Sequence, residues 1–159
     1  MSSVSKIQSA IDAEVLITEL LIVPNEGASE EQIRVEEANL ARSLSEQHKA
    51  ILKNWNGIDL DIIRLFSCGG KELPKLSDSQ IKLENNEHGL LIFAADPSGF
   101  LYFEKNDGQI YSYDTDGGEI KKLAYDMDDF FGRLVFGEDA ESFAGDQWAD
   151  DLRNKGLLV

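Results

Sequence analysis

Three turn sequences divide residues 90–125 into four short runs, and this spacing constrains the fold more than any other feature of the chain. The turns are Asp96-Pro97-Ser98, Lys105-Asn106-Asp107-Gly108 and Thr115-Asp116-Gly117-Gly118. Asp-Gly between alternating apolar runs is a strong signal for a tight hairpin. The runs therefore predict an antiparallel meander. The predicted strands cover residues 90–95, 99–104, 109–114 and 119–125.

Three helices are predicted before the meander. Apolar residues recur at helical spacing over residues 5–22. Ser29-Glu30-Glu31-Gln32 has the capping-box pattern, so a second helix begins there and runs to about residue 43. Ser43 or Ser45 caps a third helix, which ends at Asn56-Gly57.

The remaining segments complete the predicted architecture. A short strand is expected at 62–66, followed by a long loop over 67–88 with one edge strand near 80–83. After the meander, Asp126 begins a helix and a last helix covers 139–154. This order predicts an α+β fold, a twisted antiparallel sheet with N-terminal and C-terminal helices packed against it. Because no Pro-, Gly- or Ser-rich linker divides the chain, we expect a single domain over 1–159.

The charge balance limits the classes of partner. The 159 residues include 30 Asp+Glu and 15 Lys+Arg, giving a net charge of −15. An acidic surface argues against sequence-independent nucleic-acid binding and against docking on an anionic membrane. Residues 84–151 contain 17 acidic and 4 basic residues, a net charge of −13. This clustering predicts an acidic face for a basic protein partner, and the alternative is that the excess only keeps the protein soluble.

Alternation along the meander strands assigns side chains to the two faces of the sheet. Tyrosine suits an interface because it offers contact area together with a hydroxyl group. Tyrosines and acids of the second and third meander strands and their turns are therefore the candidate partner-binding residues. They are Tyr102, Glu104, Asp107, Tyr111, Tyr113, Asp114 and Asp116. The alternative is that the tyrosines pack under the helices with their hydroxyls at the rim.

Two other groups of residues are candidate sites of chemistry. The segment from Asp114 to Glu119 resembles the start of a calcium loop, but Gly118 occupies its fifth ligand position, which favours a hairpin turn. Cys68 could pair with His48 or His88 as a thiol and imidazole. The turn sequence after Cys68 and the helical stripe that contains His48 favour structural roles instead. We therefore expect no catalytic set, no metal and no cofactor.

Cysteine use and hydropathy bear on the compartment. A single cysteine, Cys68, allows no intramolecular disulfide, so the chain is expected to be cytoplasmic. The longest apolar run, over 15–23, contains an acid and is far shorter than the roughly 20 residues that span a bilayer. It also lacks the basic flank and cleavage site of a signal peptide. The sequence does not predict an oligomeric state.

Two segments resemble the SMI1/KNR4-like (SUKH) superfamily. The helix that runs from Leu44 to Asn56-Gly57 is similar to an early helix of that family, which also ends at Asn-Gly. The stretch from Gly89 to Phe131 is similar to the family's strand–turn–strand–hairpin run and to the aromatic segment that closes it. The resemblance covers residues 29–136, and 137–159 is expected to form a C-terminal helical extension.

The resemblance implies a non-enzymatic protein-binding domain, because the family is defined by its scaffold and not by catalytic residues. Bacterial members resemble immunity proteins that bind and neutralise toxin domains, often nucleases. Fungal relatives act as regulatory adaptors in cell-wall assembly and signalling. The implied function is capture of a basic toxin domain without a cofactor, and the alternative is a regulatory adaptor.

Overall fold

A computed structural model describes residues 2–14, 26–81 and 90–158. The described residues form a six-stranded antiparallel sheet with helices before and after it, which confirms the predicted α+β fold. The strands are β1 (Ile58–Asp59), β2 (Arg64–Leu65), β3 (Leu91–Ala95), β4 (Phe100–Glu104), β5 (Ile110–Asp114) and β6 (Ile120–Ala124). The helices are α1 (Ser3–Asp12), α2 (Glu30–Leu40), α3 (Glu46–Asn54), α4 (Met127–Asp129), α5 (Ala140–Ala144) and α6 (Asp146–Asn154).

The strands lie in chain order across the sheet, as a meander requires. The four strands of the predicted meander are found within one residue of the expected ends. Gly108 and Gly118 adopt φ values of 87° and 75°, which explains why glycine occupies these turn positions. The four meander strands therefore follow directly from the chemistry of their turns.

The helices pack against one face of the sheet, and aromatic side chains fill the contact. Phe93 and Tyr102 reach from β3 and β4 to Phe130, with ring centroids 5.9 and 5.6 Å away. The C-terminal α6 joins the same core, because Trp148 Nε1 donates to the Val135 carbonyl oxygen at 2.7 Å. Residues from α1 to α6 thus contribute to one buried cluster.

The helices differ from prediction at residues where the backbone φ angle is positive. α1 ends at Asp12, and Glu14 has φ 53°, so the helix expected over 5–22 is shorter; residues 15–22 lie outside the described residues. α2 ends at Leu40 because Ala41 has φ 54°. The single last helix is wrong, since Gly145 at φ 96° separates α5 from α6.

The first hairpin and the long loop also differ from prediction. The strand expected at 62–66 is only the two residues of β2, and it pairs with β1, which was not anticipated. No strand forms at Gln80 and Ile81, while 82–83 lie outside the described residues. Instead, the Gln80 side-chain amide bonds to both the N–H and the carbonyl of Ile92, at 2.9 and 2.8 Å. A side chain here supplies the hydrogen bonds that a strand was expected to make.

A π-helix at Phe130–Val135 continues α4 and positions a central cation. Arg133 bonds to Asp129 at 2.9 Å, to Asp139 at 2.6 Å and to the Leu123 carbonyl oxygen at 2.9 Å. The guanidinium lowers the pKa of Asp129, chiefly through this hydrogen bond. Arg133 thereby joins β6 to the helices on both sides of the π-helix. Among the residues described, no helix is long and apolar enough to cross a membrane.

Candidate protein-binding surface

Alternate turns of a meander lie at the same end of the sheet, so three of the four hairpin turns come together. The turns of β1–β2, β3–β4 and β5–β6 share one end, and the β4–β5 turn lies at the other. Thr115 Oγ1 donates to the Gly99 carbonyl oxygen at 2.7 Å and ties two of these turns together. We name this end the acidic turn end after its carboxylates. They belong to Asp59, Asp61, Asp96, Asp114, Asp116 and Glu119.

Turn chemistry explains half of these carboxylates. The side chain of the aspartate at each turn start accepts the N–H two residues later: Asp59 binds Asp61 N, Asp96 binds Ser98 N and Asp114 binds Asp116 N, each at 2.9 Å. Such Asx turns are a general reason for aspartate in tight turns. These three aspartates therefore have a structural role whether or not a partner binds.

The other three carboxylates have no such role. The side chains of Asp61, Asp116 and Glu119 are exposed and make no hydrogen bond or ion pair with any described residue. Arg64 Nε lies 3.3 Å from Asp59 Oδ2 and neutralises part of the charge nearby. The acidic turn end thus presents three carboxylates that local structure does not need.

A row of cross-strand neighbours crosses the sheet next to the acidic turn end, on the face opposite the helices. Register places one residue from each strand in this row, which we name the open row. Its members are Asp59, Arg64, Ala95, Leu101, Tyr113 and Ile120. Ile120 is 47% exposed, and Leu101 and Tyr113 are half-buried. The β4–β6 part of the row is therefore apolar and accessible.

The next row on this face is more enclosed. It contains Ile92, Phe103, Tyr111 and Lys122, and the first two are buried. Tyr111 stacks on Phe103 with ring centroids 5.3 Å apart, and Lys105 Nζ lies 4.5 Å from the Tyr111 centroid. The accessible surface is thus the open row together with the outer parts of Tyr111 and Lys122.

A small cavity of about 120 Å³ joins the open row to the acidic turn end. It lies between the β1–β2 and β3–β4 turns. Its lining residues are Asp59, Asp61, Arg64, Ala95, Asp96 and Pro97. The Asp61 carboxylate, which no described residue pairs, therefore lies beside a recess that reaches Arg64 and Ala95 of the open row.

The structure brings together three of the seven predicted binding residues. Tyr113 lies in the open row, and Asp114 and Asp116 lie beside it at the acidic turn end. Tyr111 lies in the next row of the same face. Asp107 lies at the opposite end of the sheet, where its Oδ1 accepts the Gln109 N–H at 3.0 Å.

The other two predicted residues, Tyr102 and Glu104, lie on the helix-packed face and are 4% and 1% exposed. The Tyr102 hydroxyl donates to Asp96 Oδ2 at 2.7 Å, and burial together with this carboxylate raises the tyrosine pKa. Glu104 accepts from Ser45 Oγ at 2.9 Å and lies 3.4 Å from Arg42 Nη2. Burial raises the pKa of Glu104 despite these partners. Neither side chain is therefore available on the surface formed by Tyr113, Asp114 and Asp116.

Sequence reasoning missed Asp59, Asp61 and Asp96 as members of the same acidic end. The signal for Asp96 was present, because alternate turns of a meander share an end. Asp59 and Asp61 gave no such signal, since β1 and β2 are each only two residues long. Register also adds Leu101 and Ile120, whose rows depend on the pairing across the hairpins.

Cys68 and His48, the candidate thiol and imidazole, are both buried in the fold. Cys68 is 1% exposed, and burial raises its pKa to about 12, so it remains a neutral thiol. His48 is 3% exposed, and burial, followed by the charge of Arg42, lowers its pKa to about 3. His88 lies outside the described residues. Within the described ranges, no group of three or more His, Cys, Asp or Glu side chains is arranged to hold a metal ion.

A larger cleft, of about 350 Å³, lies elsewhere on the molecule and offers little for recognition. Two of its polar side chains already serve the fold. Asn56 Oδ1 accepts the Cys68 N–H at 2.7 Å, and Gln32 Oε1 accepts the Ser29 N–H at 2.9 Å. Glu26, Lys71 and Glu72 give its rim mixed charge, so the acidic turn end remains the stronger candidate.

One of two comparisons with known proteins identifies a family for the chain. A search of curated protein sequences finds no significant match to the chain. A model of the SMI1 / KNR4 family (SUKH-1) matches residues 27–133, which span α2, α3, the whole sheet and most of the π-helix. The match covers more than half of the 159 residues, and the chain therefore belongs to the SMI1/KNR4 (SUKH-1) family.

Proposed function

We propose that the protein is a non-enzymatic binding domain of the immunity type, which neutralises a basic toxin domain by covering its surface. The observation that carries this proposal is the acidic turn end, with three exposed carboxylates that no described residue pairs. A nuclease must present a basic surface to hold phosphates, so it is the class of toxin that we propose. The inhibitor would act stoichiometrically, in the cytoplasm and without a cofactor.

Family membership supports this proposal. The SMI1/KNR4 (SUKH) family includes immunity proteins, and its domains are typically non-enzymatic and often bind protein partners. Burial also keeps Cys68 a neutral thiol and His48 a neutral imidazole at pH 7, so this pair does not form an activated nucleophile and base. Protein binding is therefore the function class to test first.

The test is neutralisation of toxin domains encoded beside this gene. We expect coexpression to rescue growth for one specific toxin, and the purified proteins to form a one-to-one complex. Opposite charges steer association, so the association rate constant should fall steeply between low and physiological salt. A triple variant, Asp61→Asn, Asp116→Asn and Glu119→Gln, should lower that rate constant by about tenfold at low salt.

A matched variant separates the acidic turn end from net charge alone. Asp78→Asn, Glu138→Gln and Glu141→Gln remove the same charge from exposed side chains outside the acidic turn end. If this control slows association as much as the first triple, the local acidic surface is not the determinant. If no neighbouring toxin is neutralised and affinity capture returns envelope enzymes or kinases, the regulatory adaptor replaces the immunity function.

A further inference from the structure

We infer that the open row is the apolar anchor of the contact, and that it takes a basic protein segment whose exposed apolar side chain is flanked by Lys or Arg. This inference rests on the proposed function, because it assigns the contact surface of the same basic partner. In this complex, apolar contacts contribute to the affinity in addition to charge attraction. Desolvated aromatic and aliphatic contacts usually supply most of the affinity at an interface, while charges at the rim mainly set the rate of association.

The apolar part of the open row has the composition of such an anchor. Leu101, Tyr113 and Ile120 are direct cross-strand neighbours on β4, β5 and β6. The Tyr113 hydroxyl makes no hydrogen bond with a described residue, and Ile120 is 47% exposed. A partner can therefore bury apolar surface here and also offer the tyrosine a polar contact.

Charge decides which occupant fits this row. The acidic turn end adjoins the row, so a segment that lies on Tyr113 and Ile120 also reaches the exposed carboxylates of Asp116 and Glu119. A second copy of this chain, packed row to row, would place like charges together and would be repelled. A basic segment with an apolar centre satisfies both features.

In the described part of the chain β6 is the last strand of the sheet, and its outer edge is a poorer contact than the face. Arg133 Nη2 already binds the Leu123 carbonyl oxygen at 2.9 Å, and Asp129 Oδ2 accepts the Tyr125 N–H at 3.1 Å. Lys121 and Lys122 are exposed on the remainder of the strand. Charged lysines on an edge discourage the addition of another strand. The sheet face is therefore the surface to which we assign the partner.

The experiment uses three synthetic peptides of equal length and the full protein labelled with ¹⁵N. The first peptide has lysines around a central Leu-Tyr pair, the second replaces that pair with Ser-Ser, and the third replaces the lysines with Glu. We expect the first peptide to bind at least about tenfold more tightly than the second, with amide shifts centred on Leu101, Tyr113 and Ile120. The third peptide should not bind.

Matched variants then test the anchor directly. Ile120→Ser should weaken binding of the first peptide several-fold, whereas Val35→Ser, at a comparably exposed position on α2, should leave it unchanged. Equal binding of the first two peptides, with shifts only at the acidic turns, would overturn the anchor and leave the basic partner supported. Shifts at the β6 edge or at another surface would overturn the assignment. If neither basic peptide binds, both the anchor and the basic partner are contradicted.

Discussion

On the two faces of strands β4 and β5, residues of the same type have different roles. On the helix-packed face, the Tyr102 hydroxyl and the Glu104 carboxylate are bound by internal partners. On the open face, the Tyr113 hydroxyl has no hydrogen-bond partner among the described residues. The same residue types therefore stabilise the fold on one face and remain available on the other. Their position in the register, and not their chemistry, decides which role they have.

The comparison also separates two kinds of acidic residue. Glu104 is enclosed beside Arg42, so its charge belongs to the folded core. Asp116 is exposed, and its backbone N–H donates to Asp114 Oδ1, while its carboxylate has no partner among the described residues. Net charge alone does not distinguish these residues, although only the second kind can attract a partner.

The largest expected difference between the two faces is the loss of unfolding free energy when an aromatic side chain is replaced by alanine. Phe130→Ala should lower the free energy of unfolding by about 3–5 kcal/mol, because the fully buried ring contacts Phe93, Tyr102 and Phe143. Tyr113→Ala should lower it by less than about 1 kcal/mol, since Tyr113 is only half-buried. Urea unfolding of both variants measures the difference. Similar losses would mean that the open face contributes to the core as much as the helix-packed face does.

A second prediction compares two acids of the original candidate set. Glu104→Ala should destabilise the protein by about 3 kcal/mol, because it removes a buried carboxylate that pairs with Arg42 and accepts a hydrogen bond from Ser45 Oγ. Asp107→Asn should change stability by less than about 0.5 kcal/mol, since an asparagine side chain can still accept the Gln109 N–H. Thermal and urea unfolding can check both values. A neutral Glu104→Ala would show that the pair is not needed.

The smallest expected difference concerns His48, which has a buried Nδ1 without a hydrogen-bond partner in the described structure. The pKa of His48 is about 3 in the folded protein and about 6.5 in the unfolded chain, so below about pH 6.5 the unfolded chain binds the proton first and folding stability falls as the pH falls. His48→Phe should remove this loss, so wild type should lose about 2 kcal/mol more than the variant between pH 7 and pH 5.

Unfolding measured across this pH range distinguishes the His48 effect from that of Glu104. The pKa of Glu104 is raised in the folded state, so its contribution has the opposite sign: stability falls as pH rises through the carboxyl range. Both proteins share that contribution, and the difference between them isolates the histidine. Parallel pH profiles for wild type and His48→Phe would contradict the prediction.

Local signals explain how much of the fold could be predicted. Asp-Gly turns and alternation were enough to place β3 to β6, and Ser29 with Gln32 forms the expected capping box. The two-residue strands β1 and β2 carry too little alternation to be recognised. The break at Gly145 was missed because the apolar stripe of the last helix continues across it. Predictions failed where a single backbone conformation outweighed the hydrophobic pattern.

The candidate surface could be predicted only in part, because it depends on pairing between distant residues. Tyr113 and Asp116 were identified from alternation and turn composition. Tyr102 was grouped with them although it lies on the other face, as the hairpin register shows by pairing it with Ser112. Exposure of Ile120 and proximity of Asp61 depend on the complete sheet. Residue type identified candidates, but only the register separated them.

The acidic turn end is built from three turns, and the way each turn is closed has a consequence for how the surface can evolve. In each turn an aspartate side chain accepts a backbone N–H of the same turn, and the contact between turns, from Thr115 Oγ1 to the Gly99 carbonyl oxygen, does not involve the exposed carboxylates. Substitutions at Asp116 or Glu119 can therefore accumulate one at a time without disturbing the helix-packed core, whereas Asp61, at φ 68°, favours replacement by Asn or Gly. If the acidic turn end is the contact surface we propose, recognition can diversify turn by turn on an unchanged scaffold.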